Sequence, residues 1–218
     1  MKFTHLIVSR VNIRWTEQSK DEKWLRDRIF LLNRTLRPSI QAQTNKNFKF
    51  VTLWGYDPID VINVEHAIKT ESVGLVKIFD DVLIELKKLI DEENVLVTRI
   101  DSDNSLGDDF VETLHKAVKE TELPFYYDIS KHYMYHTKTK EKRIWPFEKT
   151  TGFISVMEKT SDFTCIPYHH NHGKIGNVIK GTQVEGLDTL VNIHENNLSA
   201  KMLGKLTDFD ISKFNLKL

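Results

Sequence analysis

The stretch VLVTRIDSDNSLGDDF, residues 95–110, holds the residues whose spacing fits chemistry best. Asp101 and Asp103 sit two apart where the β-branched, apolar run of residues 94–100 gives out, and that run reads as a buried strand. Alternation along an extended chain lets both carboxylates project towards one face. Unpaired charge at the end of a hydrophobic strand is costly. A hard divalent cation that takes oxygen ligands, Mg²⁺ or Mn²⁺, is an obvious partner. Held by only one or two carboxylates, such an ion keeps positions open for phosphate oxygens. The chain supplies a control: Asp208 and Asp210 repeat the spacing without an apolar strand before them, and read as surface. Two other readings stay open. One is a turn of solvated carboxylates leading into a helix N-cap. In the other, Asp101, Asp103, Ser105, Asp109 and Glu112 take positions 1, 3, 5, 9 and 12 of an EF-hand calcium loop, with Leu106 where that loop needs glycine.

The elements around this motif alternate. Residues 3–9 read as a strand. Leu25, Ile29, Leu32 and Leu36 form one stripe of a helix over 24–36, which Pro38 stops. Residues 48–54 return to strand composition and end in a turn at Asp57-Pro58. A helix over 61–69, a strand over 73–79 and a helix over 82–90 follow. After the strand at 94–100, Gly107-Asp108-Asp109 starts a helix carrying Phe110, Leu114, Ala117 and Val118. Beyond Pro124 come short aromatic strands, PFYYDI, KHYMYHT and KRIWPF, with a hairpin turn at KTKEK, then TGFISVM and FTCIPY as two more. An α/β first half thus leads into a more mixed second half, and such sheets take ligands at the carboxyl ends of their parallel strands.

At 218 residues the chain suits one domain. Its 31 Lys and Arg balance its 31 Asp and Glu, so no global charge argues for nucleic acid. One cysteine, Cys165, excludes a disulfide framework and a multi-thiolate zinc site. The apolar run at the N-terminus is too short for a signal peptide, and no segment approaches the roughly 20 apolar residues of a transmembrane helix. The expectation is a cytoplasmic protein, with room for peripheral contact with a membrane.

Several ordered blocks resemble the putative rhamnosyltransferases among the GT-A glycosyltransferases. SRVNIRW at 9–15 is similar to the family's Arg-x-Asn segment after the first strand. RPSIQAQTNKNFKFVTLW at 37–54 is similar to its Pro-Ser-x-x-x-Gln segment with Asn-Phe and a strand, and VTRIDSDNSLGDDF at 97–110 to its Thr-Arg-x-Asp-x-Asp block. GFISVMEK and HHNHGKI extend the likeness into the second half, while Asn104 stands where a further acidic residue is common.

The resemblance implies a GT-A-like, Rossmann-like α/β fold with a central mixed sheet over residues 1–218. Residues 1–123 would bind the nucleotide-sugar and 124–218 would serve the acceptor. It implies a metal-dependent glycosyltransferase that moves a sugar from a nucleotide-diphosphate donor to a glycan or other hydroxyl acceptor. Asp101 and Asp103 would contact Mn²⁺ or Mg²⁺ and the diphosphate. Arg10, Asn12 and Arg99 would lie at the nucleotide or diphosphate, where an arginine fork pairs with phosphate oxygens. A histidine from the second half would complete the metal site, His172 first and His170 second. The rival for His169, His170 and His172 is a polar loop, or a zinc site of their own. A general base for the acceptor hydroxyl would come from Glu158, ahead of Glu148 and Asp162. Trp145, Tyr133 and Tyr135 could stack on an acceptor sugar, although packing on the sheet is their preferred role. A nucleotidyltransferase using the same carboxylate pair is the enzyme alternative. A calcium- or carbohydrate-binding module is the non-enzymatic one.

Overall fold

The computed structural model describes residues 1–12, 21–70, 78–146, 151–194 and 202–217. In chain order the strands are β1 (Thr4–Asn12), β2 (Lys49–Trp54), β3 (Glu65–Lys69), β4 (Asn94–Asp101), β5 (Ser105–Leu106) and β6 (Phe125–Ile129). They continue as β7 (Lys131–His136), β8 (Lys142–Pro146), β9 (Ser155–Lys159), β10 (Lys180–Val184), β11 (Thr189–Ile193) and β12 (Lys205–Leu206). The helices are α1 (Glu22–Arg34), α2 (Leu36–Ala42), α3 (Ile78–Lys87), α4 (Phe110–Ala117) and the short α5 (Ile166–His169).

Seven strands form a central mixed sheet in the order β10-β6-β9-β4-β1-β2-β3, in which only β9 runs against its neighbours. The chain steps outward from β1 to β3, then α3 carries it back to lay β4 on the other side of β1. Strand order therefore reverses between β1 and β4, the position where open α/β sheets leave a crevice at the strands' carboxyl ends. Alternation along the strands sorts the core into two layers. Leu6, Val8, Leu53, Val95 and Val97 meet Val82 and Leu86 of α3 and Tyr168 of α5. Ile7, Val11, Phe50, Leu96 and Ile100 meet Ile29, Leu32, Leu36, Ile40, Phe110 and Leu114 from α1, α2 and α4. A second sheet, β12-β8-β7-β11-β5, is joined to the first through the turn that follows β4. Strands from both sides of residue 123 share the main sheet.

Several local expectations need correction. Pro38 does not stop a helix. The first helix ends at Thr35, and Pro38 sits in the first turn of α2, where a missing N–H leaves no intrahelical bond unmade. The expected helix over 61–69 is instead a loop followed by β3, because residues 65–69 pair with all of 50–54 along the sheet edge. FTCIPY is not a strand either: Cys165 is left-handed at φ 59° and starts α5. The expected strand over 73–79 lies mostly outside the described residues, and its last two residues open α3. Glu148 lies outside them as well. Among the described residues no helix is long and apolar enough to cross a membrane.

Candidate functional site

β1 and β4 end together, with Arg10 opposite Asp101 in the parallel register. Arg10, Arg99 and Asp101 all emerge on the α5 side of the sheet. The Asp101 carboxylate lies 3.3 Å from Arg99 Nη2 and 3.7 Å from Arg10 Nη2, and is 43% exposed while Arg99 is 6% exposed. Both guanidiniums rest on the Tyr168 ring, at 5.5 Å for Arg10 and 5.6 Å for Arg99. Tyr168 is itself pinned, its hydroxyl donating to the Val8 carbonyl at 2.6 Å. Arg99 Nη1 donates to the Gly152 carbonyl at 3.0 Å, and a Cβ at Gly152 would stand 3.1 Å from that nitrogen. Two fixed cations beside one open carboxylate form an edge suited to phosphate oxygens.

His172 belongs to the same neighbourhood. Burial, then the positive charge of Arg99, pushes its imidazole down to about 4, with Asp101 pulling the other way. His132 of β7 is pushed to about 4 by burial and by His172, and its ring lies 5.1 Å from that of Phe153. Thus the second half of the chain does reach the arginine pair, whereas His169 and His170 are exposed at the end of α5.

Asp103 faces elsewhere. One residue past the strand the backbone turns, and Asp103 points to the α1 side, where it is buried. Its Oδ2 accepts from Arg28 Nη1 at 2.8 Å and from His194 Nε2 at 3.1 Å. Burial alone would raise this carboxyl; the His194 hydrogen bond and the Arg28 charge outweigh it and hold the acid below its usual range. His194 is delivered by β11, which is stitched to the turn: Asn192 Nδ2 donates to the Asp103 carbonyl at 2.7 Å, and Asn192 N donates to Asn104 Oδ1 at 3.2 Å. The two carboxylates therefore do not project to one face. The chain is strand only up to Asp101, and alternation stops there.

Asn12 sits at the end of β1, its Oδ1 accepting from Gly55 N at 3.1 Å, with Nδ2 buried and unpartnered. Glu158 is not brought to this end of the sheet. It pairs with Val95, six residues before Asp101, about 20 Å along an extended strand. Its carboxylate accepts from Thr164 N at 2.9 Å, Thr164 Oγ1 at 3.0 Å and Ile166 N at 3.0 Å, which fixes the left-handed Cys165 and the start of α5. Asp162 ends an exposed turn beyond it. Tyr133 and Tyr135 pack in a core with Leu190 and Phe214, and Trp145 lies 6.1 Å from the His132 ring.

The calcium-loop arrangement does not form. Ser105 is paired in β5, and Glu112 is bonded to Lys116 and Thr44. Among the described residues no three His, Cys, Asp or Glu side chains gather as a metal cage. A cation would find one carboxylate and one imidazole 3.1 Å apart, Asp103 and His194, and would have to take the place of the proton that His194 Nε2 donates to Asp103. That mixed oxygen and nitrogen set suits Mn²⁺, provided phosphate oxygens and water complete the shell.

Arg28, Tyr168 and His194 were not singled out in the sequence. His194 had a faint signal, directly following the apolar run TLVNI as Asp101 follows its own. Against this geometry, the family model described as Putative rhamnosyl transferase matches residues 14–206 of the 218. No curated protein matches the chain.

Proposed function

The chain belongs to the putative rhamnosyl transferase family, and on that premise we propose that it is a GT-A-type glycosyltransferase that moves a sugar from a nucleotide-diphosphate donor to a hydroxyl acceptor. The observation that carries the reading is the pair Arg10 and Arg99, locked beside Asp101 where strand order reverses. Held by Tyr168, the two guanidiniums are oriented before a ligand arrives, so little side-chain entropy is lost when they grip a diphosphate. Asn12 Nδ2, two residues past Arg10 at the end of β1, offers a further donor to the nucleotide. Asp103 and His194 would hold Mn²⁺ or Mg²⁺, which when bound offsets charge developing on the leaving diphosphate. His172, neutral at pH 7, lies on the side from which residues of the second half approach and would present an uncharged nitrogen to an acceptor hydroxyl, with the buried His132 near it.

A panel of nucleotide sugars assayed with Mn²⁺ tests this. One donor should turn over, and Arg99→Met should lower kcat/KM by about 10² or more. Failure of the parent protein to bind any nucleoside diphosphate in calorimetry, with Mn²⁺ present, would remove the reading.

A further inference from the structure

Trp24 and Arg28 lie one turn apart on α1, four residues in sequence, and so on one face of the helix. Because α1 runs back against β1, its first two turns stand at the carboxyl end of the sheet, and Arg28 confirms this by reaching Asp103. The Arg28 guanidinium lies over the Trp24 ring at 5.5 Å. Its Nη1 is used by Asp103 and its Nη2 reaches Ser102 Oγ at 3.4 Å. The third nitrogen, Arg28 Nε, is buried and has no partner, and neither has the buried Trp24 Nε1. A buried N–H left unpaired costs more than a made bond gains, so two such donors from one helix face call for an acceptor oxygen. Neither side chain can accept, and one is a permanent cation, so the oxygen that fits best is anionic.

We infer that Trp24 Nε1 and Arg28 Nε form a second oxyanion-binding edge, on the α1 side of the strand ends, that takes a phosphate oxygen of the nucleotide-sugar donor. The inference rests on the proposed donor class. It adds that the donor is gripped from both faces of the sheet: by Arg10 and Arg99 on the α5 side, and by Trp24 and Arg28 on the α1 side. Arg28 then has two jobs, lending charge to Asp103 through Nη1 and binding the ligand through Nε.

Trp24→Phe tests this because it keeps an aromatic ring under Arg28 and removes the N–H donor along with part of the indole. Arg28→Lys, the second variant, keeps a cation and deletes the fork. Binding of inorganic pyrophosphate, and of UDP, GDP and dTDP, is measured by calorimetry twice, with Mn²⁺ and with EDTA. The EDTA arm separates a direct contact from an effect passed through Asp103. Trp24→Phe should weaken pyrophosphate about three- to tenfold in both arms, with melting temperature nearly unchanged, and Arg28→Lys should weaken it more than tenfold. Pyrophosphate should also perturb tryptophan fluorescence in the parent and much less in Trp24→Phe. If both variants bind as tightly as the parent while Arg99→Met does not, the two donors serve only water and the inference falls alone. If the parent binds none of these ligands, it falls together with the proposed function.

Discussion

Asp101 and Asp103 are two residues apart, yet they meet different partners, because a period-two rule lasts only as long as the strand that imposes it. The position of the acidic pair at the end of an apolar strand was legible. The direction of the second carboxylate was not, since it depends on Arg28 and His194, which approach from 75 and 91 residues away. Glu158 shows the converse. A carboxylate in the second half can be buried for reasons unconnected with chemistry, and its three bonds to residues 164–166 hold a left-handed non-glycine residue in place. Burial raises its carboxyl above the usual value, against the pull of the Thr164 and Ile166 backbone donors. Glu158→Gln puts an amide NH₂ among N–H donors and should cost about 1–3 kcal/mol, a melting-temperature loss of several degrees in a chain of this size. Turnover at saturating donor should change less than about tenfold. A loss of 10² or more in kcat with an unchanged melting temperature would mean that Glu158 is a general base after all.

At the scale of elements, segments packed in the core were read well: β1, β2, β4, α1 and α4 lie close to where apolar patterning put them, and the β7–β8 hairpin where its aromatic strands and polar turn put it. The misread ones are those whose state is decided by a partner. Residues 65–69 contain no strong strand signal and are strand because β2 offers a free edge and because Glu65 is claimed from two sides. Arg37 of α2 donates to both Glu65 oxygens, Nε at 2.8 Å and Nη2 at 3.1 Å, and Thr52 Oγ1 adds a third bond at 2.5 Å. Both charged groups are almost wholly buried. Removing one partner strands the other: Arg37→Met alone should destabilise by about 3–5 kcal/mol, and Glu65→Leu by a similar amount. The double variant should recover a substantial part of the summed loss, measured by urea unfolding as a double-mutant cycle. Strict additivity would mean that the pair does not couple α2 to β3. Asn192 plays the equivalent part between the two sheets. Asn192→Asp replaces the donor to the Asp103 carbonyl with an acceptor, and should weaken Mn²⁺-dependent diphosphate binding by displacing His194. Equal Mn²⁺ dependence in variant and parent would show that β11 does not set that histidine.

Across the whole molecule, His5, His115, His132, His169 and His172 are shifted in one direction. Burial holds His5 well below its ordinary value, with His115 adding to the effect, and lowers His115 too; His132 and His172 are each pushed to about 4. His5 shows why protonation is resisted. Its Nδ1 lies 3.0 Å from His115 Nε2 and its Nε2 lies 2.8 Å from Thr98 Oγ1, which continues to Ser155 Oγ at 2.7 Å. One neutral tautomer per ring satisfies this chain, whereas a proton on both nitrogens of each would set N–H against N–H. A group with a depressed folded pKa binds its proton more readily in the unfolded chain. Its stabilising contribution is therefore complete above the unfolded value of about 6.5 and lost as pH falls towards the folded one. Asp128 works in the opposite sense, since burial raises it to about 6, so the folded state gains on it as pH falls from about 6 towards its unfolded value. Burial raises Glu158 and Asp109 as well, and they act in the same sense as Asp128; the depressed histidines, more numerous and titrating from about 6.5 in the unfolded chain, leave a net loss between pH 7.5 and 5. The melting temperature should thus fall by several degrees from pH 7.5 to 5, without any ligand. His132→Phe should flatten part of this slope: it keeps a ring beside Phe153 and removes a group whose shift from 6.5 to about 4 corresponds to on the order of 3 kcal/mol. A parent melting temperature that is level over this range, or a variant slope as steep as the parent's, would mean that His132 is not held neutral by the fold.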